Sequence, residues 1–322
     1  MPETRKRPRT PARQYAGAGR KASPERRLLK QLESPDSCFG PSLPNISEKE
    51  FRNFQALIRA EAGIWLSPSK TALLTGRLAK RLRLHGLKSF QDYYRLVLES
   101  PEEYIQMLDA ISTNETRFFR EPKHFELLDS HILPRWIRDS ASGNRGRDIR
   151  VLSAGCSTGQ EPYSLAMTLL HHFPPGSGWN LEIIAADLST RVLEIAQRGI
   201  WSVDKASEIP FDYLKAFMLK GYGDQEGKIK AGREIRSLIR FQRANLHQSP
   251  YPFVGKFDLI FCRNVLIYFD LRSREMVLHR LARSLSPDGY FFVGHAESLH
   301  TMTGILDPVI PTVYRSSKVQ AD

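Results

Sequence analysis

The chain has 322 residues, 41% of them apolar, and its four Trp, 17 Phe and 11 Tyr can fill the cores of two domains. No run reaches the roughly 18 apolar residues of a membrane span, and the N-terminus lacks a signal-peptide core, so we expect a soluble cytoplasmic protein. Three separated cysteines, Cys38, Cys156 and Cys262, form no C-x-x-C pair, which argues against a disulfide framework and a zinc site.

Most of the net charge of +12 lies at the N-terminus, where residues 1–30 carry ten Lys or Arg against two Glu. This region is rich in Pro, Gly and Ser and has almost nothing to bury, so residues 1–42 are predicted to be a disordered basic tail. A solvated extension is favoured over a nucleic-acid or membrane contact.

Residues 43–112 have the pattern of a small all-helical domain. Ser47 with Glu50 forms a capping box, and Ser67-Pro68 and Ser100-Pro101 each place a capping residue before a proline at the first helical position. Leucines and aromatic residues then recur at helical spacing. Residues 113–145 are predicted to be a linker and a connecting helix.

Residues 146–322 alternate strands with helices. The segments DIRVLSAG, LEIIAAD, FDLIFCRN and GYFFVG are predicted strands, and continuous apolar strands between helices indicate an α/β fold with a mostly parallel sheet. PTVYRSS is predicted to supply a last edge strand. Over about 205–243 the rhythm is interrupted, and strand-like segments such as GKIKA and IRFQR predict an inserted antiparallel β subdomain.

The segment VLSAGCSTGQEPYS, residues 151–164, supports two interpretations. It contains G-x-S-x-G, the turn that presents a nucleophilic serine in α/β hydrolases, and Ser157, Asp258 and His295 follow in the order of a triad. Against this, no H-G-G-G segment precedes the loop, and Asp258 lies at the wrong end of its strand.

The second interpretation is a turn that lets a nucleoside cofactor approach a strand end. The next strand ends in Asp187, an acceptor for ribose hydroxyls. Glu161 opens the following helix, where it would repel phosphate and attract an ammonium or sulfonium. These features favour a cationic, phosphate-free cofactor such as S-adenosylmethionine.

Six motifs in order resemble the CheR-type chemotaxis receptor methyltransferases: ISTNETRFFREPKHF, VLSAGCSTGQEPYSLAMTL, AADLSTRVLEIAQRGIW, RANL, FDLIFCRNVLIYFD and LSPDGYFFVGHAES. The resemblance covers about residues 45–316. It implies a Rossmann-like class I methyltransferase sheet and transfer of methyl from S-adenosylmethionine to receptor glutamates, without a metal. A non-catalytic adaptor that binds the cofactor and a serine hydrolase are the alternatives.

The resemblance also implies the site residues. The cofactor-binding positions would be Asn114, Thr116, Arg120, Gly155, Glu161, Asp187, Asn245, Leu246, Arg263 and Asn264. Arg120 and Tyr268 would be the catalytic groups that orient the substrate carboxylate, which is already ionised at neutral pH. Where relatives often have Glu-Glu, this chain has Gln160-Glu161, so the acidic role is placed on Glu161.

Two surfaces are predicted to contact receptors. One is a basic helix carrying Arg77, Lys80, Arg81 and Arg83, which would attract glutamate-rich methylation regions, although such a helix is more often a solvated face. The other is the inserted subdomain, whose Gly221, Gly223 and Gly227 resemble the pattern of family members that bind a receptor C-terminal peptide as an added strand.

Overall fold

The structure, a computed structural model, describes residues 14–15, 45–297, 299 and 304–317. None of the helices in these ranges is long and apolar enough to cross a bilayer. Most of the predicted tail over 1–42 lies outside the described residues. The exception is Gln14–Tyr15, which forms a short strand, β1.

Four helices make up the N-terminal domain: α1 (Glu48–Ala62), α2 (Thr71–Leu84), α3 (Phe90–Glu99) and α4 (Pro101–Ile111). The predicted capping box is present, because Ser47 Oγ accepts from Glu50 N at 3.3 Å and Glu50 Oε2 accepts from Ser47 N at 2.9 Å. Ser67-Pro68 opens a 3-10 turn that runs directly into α2. Phe54, Leu78 and Tyr93 are among the fully buried side chains of this core.

A connecting segment then leads to the sheet domain. It contains α5 (Pro122–Leu127), one π-helical turn (Leu128–Ile132) and α6 (Leu133–Ala141). Leu128, Leu133 and Trp136 pack into the core on one face of the sheet. The connection therefore belongs to the packed body of the protein.

The main sheet has seven strands in the order β10-β11-β9-β8-β2-β3-β7. Their bounds are β2 (Asp148–Ala154), β3 (Asn180–Asp187), β7 (Ile239–Arg243), β8 (Phe257–Cys262), β9 (Leu285–Val293), β10 (Leu306–Ile310) and β11 (Val313–Ser316). All pairings are parallel except those of β11 with β9 and β10. The helices α7 (Gln160–His172), α8 (Thr190–Arg198) and α11 (Leu271–Arg283) accompany this sheet, and separate apolar cores cover its two faces.

Two strand predictions need correction. The segment IRFQR is β7, which pairs in parallel with β3 at the edge of the main sheet and is no part of the insert. PTVYRSS supplies β11, but β11 is an inner strand because Leu306–Ile310 pairs outside it.

The inserted subdomain is a small antiparallel sheet of β4 (Ile200–Ser202), β5 (Met218–Gly221) and β6 (Lys228–Ala231), with α9 (Phe211–Phe217) between β4 and β5 and α10 (Arg233–Ser237) after β6. It therefore begins a few residues before the predicted limit at 205 and ends before 243. β1 adds in parallel to the free side of β5, so the order is β1-β5-β6-β4.

Partly buried hydrogen bonds join the helical domain to the sheet domain. Asp109 at the end of α4 accepts from Thr190 N at 3.1 Å and from Thr190 Oγ1 at 2.8 Å, at the start of α8. Asn245 Nδ2 donates to Glu61 O at 2.8 Å. These contacts hold the helical domain over the carboxyl ends of the central strands.

Candidate functional site

A cavity of about 390 Å³ lies where the helical domain meets the carboxyl ends of the central strands. This volume is within the range of small-molecule sites, about 300–1,000 Å³. Nearly all the sequence-predicted site residues line it: Asn114, Thr116, Arg120, Gly155, Glu161, Asp187, Asn245, Leu246, Arg263, Asn264 and Tyr268. The structure thus brings together residues from five separate segments.

The loop after β2 is shaped by backbone that only small residues tolerate. Gly155 has a φ of +85°, and a Cβ there would lie 2.3 Å from Val265 Cγ2. Ser157 has a φ of +51°, and Gly159 has a φ of +96° with a Cβ position 2.9 Å from Ala196 Cβ. A larger residue at position 155 would push Val265, which lines the same cavity.

Asp187 ends β3 at the cavity. Its Oδ2 accepts from Ser157 N at 2.8 Å and its Oδ1 accepts from Ser189 N at 2.9 Å. Burial raises the pKa of this carboxyl above its ordinary value, against the lowering effect of the backbone donors. Each oxygen keeps a second lone pair, so Asp187 can still accept hydrogen bonds from a pair of ligand hydroxyls.

Glu161 lines the cavity but is not a free carboxylate. Its Oε1 accepts from Ser153 Oγ at 2.7 Å and its Oε2 accepts from Arg263 Nε at 2.7 Å. Arg263 and Glu161 are 6% and 8% exposed, so this is a buried ion pair. The negative field that Glu161 presents to the cavity is therefore weaker than the sequence suggested.

Arg263 is held by buried contacts on several sides. Its Nη1 donates to Arg120 O at 2.5 Å, and its guanidinium lies over the rings of Phe125 and Phe261 at 5.7 and 5.5 Å. Burial, with Arg263 adding to the effect, lowers the pKa of neighbouring His124 to about 4. Arg263 lines the cavity, where its Nε also donates to Glu161, and its role in binding the cofactor stays a prediction.

The residues Asn114, Thr116 and Arg120 lie on the loop between α4 and α5, and they do not cap a helix. Asn114 O accepts from Ser157 Oγ at 2.9 Å, and Arg120 Nη1 donates to Glu115 O at 3.1 Å. The loop therefore crosses the turn after β2 and closes one side of the cavity.

Asn245 and Leu246 follow β7, as predicted, but the Asn245 side chain is already engaged. Besides its bond to Glu61, its Oδ1 accepts from His247 N at 3.0 Å. The amide thus fixes the domain junction, while Leu246 adds an apolar surface that suits the flat face of a base. Val265 and Leu188 also line the cavity.

Asn264 and Tyr268 follow β8 on the opposite side. Asn264 has a φ of +59° and its N donates to Glu297 Oε2 at 2.8 Å. Its Oδ1 is buried and has no partner among the described residues, which leaves one acceptor for a ligand donor. Tyr268 lies beneath Lys70, whose Nζ is 5.9 Å from the ring centroid.

Sequence reasoning missed the wall that the helical domain contributes. Leu66, Lys70, Leu73 and Ile111 line the cavity with Arg77, which was predicted only as an outer receptor contact. Arg77 Nη2 donates to Thr113 Oγ1 at 2.9 Å, and burial lowers its pKa. No local pattern marks these positions, because the wall forms only when the two domains pack.

The predicted basic surface on α2 divides into three environments. Lys80 and Arg83 are exposed, and Arg77 faces the cavity. Arg81 is held within the helical domain, where its Nε donates to buried Glu103 Oε1 at 2.8 Å. Arg81 must therefore be removed from the receptor-contact candidates, because its charge is already paired with a buried carboxylate.

The glycines of the insert shape the turn between β5 and β6. A Cβ at Gly221 would lie 1.9 Å from Gln225 O, so only glycine fits there. Gly223 and Gly227 have φ values of +57° and +78°, in the left-handed region. These residues fix the end of β5 rather than offering side chains to a partner.

The serine hydrolase interpretation fails on geometry. Ser157 Oγ donates to Asn114 O, and Asp258 at the start of β8 accepts from Arg145 Nη2 at 2.6 Å and from Arg150 N at 2.8 Å. His295 pairs with Glu121 at 3.1 Å. The three residues serve separate contacts and form no triad.

Ser157→Ala is therefore expected to keep methyl transfer within about fivefold of the parent, because it removes one neutral hydrogen bond of about 1 kcal/mol. The measurement is initial rate at saturating cofactor, with the midpoint of thermal unfolding as the control for folding. Loss of nearly all turnover in a folded variant would restore the nucleophile interpretation.

The residues of the cavity fit S-adenosylmethionine. Asp187 offers acceptors for hydroxyls, Asn264 Oδ1 is an unpartnered acceptor, and Leu246 and Val265 are apolar. A carboxylate at the first turn of α7 disfavours a phosphate. Within the described ranges, no group of three or more His, Cys, Asp or Glu is placed to hold a metal ion.

Comparison with known proteins agrees with this fit. The family described as "CheR methyltransferase, SAM binding domain" matches residues 114–314, and "CheR methyltransferase, all-alpha domain" matches residues 49–112. Chemotaxis protein methyltransferase 2 of Pseudomonas aeruginosa is 36% identical, over 87% of this chain and 98% of its own. The chemotaxis protein methyltransferase of Escherichia coli is 36% identical over 85% and 92%, and that of Borreliella burgdorferi is 34% identical over 85% and 96%.

These matches span both domains and cover nearly the full length of the relatives. The Rossmann-like sheet and the all-helical domain predicted from the sequence are both present. The chain belongs to the CheR family of S-adenosylmethionine-dependent methyltransferases.

Proposed function

We propose that this protein transfers methyl from S-adenosylmethionine to glutamate side chains in the cytoplasmic domains of chemoreceptors, giving glutamate methyl esters. The observation that carries the proposal is the cavity itself. It combines acceptors for a nucleoside, on Asp187 and Asn264, with the cationic side chains of Lys70 and Arg77. A glutamate carboxylate would be attracted to these cationic side chains and held near the cofactor.

The chemistry asks little acid-base help from the protein. The cofactor supplies an electrophilic methyl on a sulfonium sulfur, and a glutamate with an ordinary pKa of about 4.3 is already an anionic nucleophile at neutral pH. The residues of this chain bind, orient and exclude water. Asp187, Glu161, Asn264 and Leu246, with Gly155 giving room, would hold the cofactor, and Asn114 and Thr116 would cover it.

Arg120 and Tyr268 are proposed to position the substrate carboxylate, Arg120 by a charge-assisted hydrogen bond and Tyr268 through its hydroxyl. Both line the cavity, and Arg120 is held near it by its bond to Glu115 O. A strong grip on the nucleophilic oxygen would slow transfer, so one oxygen must stay free.

Arg120→Ala is expected to lower turnover by about 10- to 100-fold, and Tyr268→Phe by about tenfold, with smaller changes in cofactor affinity. Initial rates and calorimetric titration with S-adenosylhomocysteine separate the two effects. Arg117→Ala, an exposed arginine on the same loop, is the matched control and should behave as the parent. Unchanged turnover in both Arg120→Ala and Tyr268→Phe would refute the assignment.

The direct test of the proposal is transfer of labelled methyl from S-adenosylmethionine to membranes bearing chemoreceptors, scored as base-labile label. Asp187→Asn is the inactive comparison and Asp212→Asn, at an exposed position of α9, is the matched control. Base-labile label that disappears only in Asp187→Asn supports carboxylate methylation. Cofactor binding without transfer to any receptor would favour the adaptor alternative.

Receptor docking is proposed at two places. Exposed Lys80 and Arg83 on α2, on the same helix as Arg77, suit acidic methylation regions. The side of β5 that pairs with β1 suits an extended receptor C-terminal peptide, because its main-chain donors and acceptors can pair with an added strand. Tyr222, which is 43% exposed, follows β5, and Lys220 Nζ lies 5.8 Å from the centroid of its ring.

Peptide docking is tested by titrating labelled receptor C-terminal peptides onto the full chain and onto a Tyr222→Ala variant. If Tyr222→Ala binds the peptide more weakly but still methylates receptor glutamates at the parent rate, the peptide surface is separate from the surface that carries Lys80 and Arg83.

A cytoplasmic location is also proposed, since Cys156 and Cys262 are buried free thiols of the kind that reducing compartments maintain.

A further inference from the structure

The outer side of β5 carries a strand from the N-terminal region of the same chain. β5 pairs antiparallel with β6 on one side, and Gln14–Tyr15 pairs with it in parallel on the other. The register is Gln14 with Lys220 and Tyr15 with Gly221. The edge proposed for an external peptide is thus covered by β1.

The local sequence suits such a short strand. Residues 12–16 read ARQYA and are bounded by Pro11 and Gly17, which both disfavour continuation of a strand. Tyr15 is a residue type enriched in strands. The two paired residues are fewer than the three to ten of ordinary strands, so the pairing is weak by itself.

The connection to the rest of the chain compensates for this weakness. Residues 16–44 join β1 to the helical domain, and fully extended they span on the order of 100 Å. A tether of this kind gives a weak ligand an effective concentration of about a millimolar, whatever the protein concentration. A strand that would scarcely bind as a free peptide can therefore occupy the β5 edge.

We propose that the strand Gln14–Tyr15 is an intramolecular ligand of the β5 edge, which must leave before an external peptide can add there. The consequence for receptors rests on the proposed docking of a receptor peptide at this edge, whereas the pairing of β1 with β5 does not. The strand Gln14–Tyr15 then sets how readily the insert accepts a partner.

Competition of this kind has a measurable size. The apparent affinity for an external strand falls by the fraction of molecules whose edge is free. If a free copy of the segment binds with a Kd of about 100 μM, a millimolar effective concentration lowers that affinity on the order of tenfold. Release of β1 from β5 should raise the apparent affinity for an external strand by the same factor.

The test compares full-length chains that differ only at positions 14 and 15. Gln14→Pro/Tyr15→Pro removes both main-chain donors of β1 and should release it. Gln14→Ala/Tyr15→Ala keeps the donors and is the matched control. The probe is a labelled peptide with the sequence of residues 10–20, and the readout is fluorescence anisotropy.

We expect the proline variant to bind the probe about tenfold more tightly than the parent, and the alanine variant to stay within about twofold of the parent. Hydrogen exchange gives a second readout. The amide of Lys220 or Gly221 that faces β1 should exchange about tenfold faster in the proline variant, while those of Lys228–Ala231 on β6 keep their rates.

Equal probe binding and equal exchange at β5 in the parent and the proline variant would overturn the inference, whatever the methyl-transfer assay shows. Tighter probe binding by the proline variant, in a protein that transfers no methyl, would support the inference and defeat the proposed function. Tighter probe binding by the proline variant without binding of receptor peptides would support the inference and remove only the receptor as the external partner.

Discussion

Asp187→Asn is expected to weaken binding of S-adenosylmethionine and its product by about 100-fold while changing the stability of the protein little. The carboxylate is the acceptor proposed for two ligand hydroxyls, and hydrogen bonds to a charged group contribute about 1.5–3 kcal/mol each. The amide of asparagine offers one oxygen in place of two. Calorimetric titration with S-adenosylhomocysteine measures the loss.

The stability part of this prediction follows from the sign of the pKa shift. Burial raises the pKa of Asp187, so the folded protein disfavours the charged form relative to the unfolded chain. Stability from such a group is greatest below its unfolded pKa and is lost as the pH rises through the folded pKa. At neutral pH the charge opposes folding, but asparagine leaves either Ser157 N or Ser189 N without its acceptor, so the two effects oppose each other and the midpoint of thermal unfolding should change little.

The same shift predicts the pH dependence of cofactor binding. Asp187 accepts from hydroxyls best when ionised, and its raised pKa means that it becomes protonated at a higher pH than an ordinary aspartate. Affinity should therefore fall on the acid side in the parent, and this fall should be absent in Asp187→Asn. Asp212→Asn, which changes an exposed carboxylate, should match the parent in affinity and in its pH profile.

A marked drop in thermal stability of Asp187→Asn would mean that the bonds to Ser157 and Ser189 outweigh the burial of charge. Affinity within threefold of the parent would remove Asp187 from the cofactor site. The two results can be distinguished because thermal unfolding and ligand binding are measured on the same variant.

Much of the fold could be predicted because its signals are local. The capping box of Ser47 and Glu50 needs only four residues, and the caps at Ser89 and Ser100 are equally short in range. The ends of the strands could also be predicted from the sequence, since Asp187 and Asn264 directly follow apolar runs. Carboxyl ends of parallel strands meet at one edge, so the site could be assembled from these positions.

The errors arose where a tertiary partner decides the outcome. β7 alternates polar and apolar residues because it is the edge of the main sheet, and the same alternation is typical of a hairpin in an insert. Arg81 resembles a solvated arginine until Glu103, on another helix, is placed beside it. Position in sequence does not reveal such partners.

The buried contacts of Arg263 lead to the largest expected change in stability. Arg263→Met is expected to lower the free energy of unfolding by about 3–5 kcal/mol, because it leaves Glu161 buried without its ionic partner. It also removes the donor to Arg120 O. Urea denaturation in the absence of cofactor measures the change.

The matched comparison is Glu161→Met/Arg263→Met, which replaces both charges with apolar side chains of similar length. A buried pair replaced as a whole is often neutral in stability, whereas a pair broken on one side is not. The double variant should therefore be more stable than Arg263→Met alone by about 1–3 kcal/mol. Its methyl transfer should still be impaired, since Glu161 faces the cavity.

The pH dependence of stability gives an independent check on the same arrangement. The pKa of His124 is lowered to about 4, first by burial and then by the charge of Arg263. Since the unfolded pKa is about 6.5, folding stability should be retained above that value and fall as the pH drops from about 6.5 toward about 4. Removing Arg263 should raise the pKa of His124 and narrow this window.

If the main role of Arg263 were to bind the cofactor, as predicted from the sequence, the effects of Arg263→Met on stability and affinity would differ. Arg263→Met would then keep its stability without ligand, its acid sensitivity would match that of the parent, and only cofactor affinity would fall. The structural role requires the reverse order, with stability changing first and the His124 titration moving with it. Comparing urea midpoints at pH 7 and pH 5 in the single and double variants distinguishes these two roles directly.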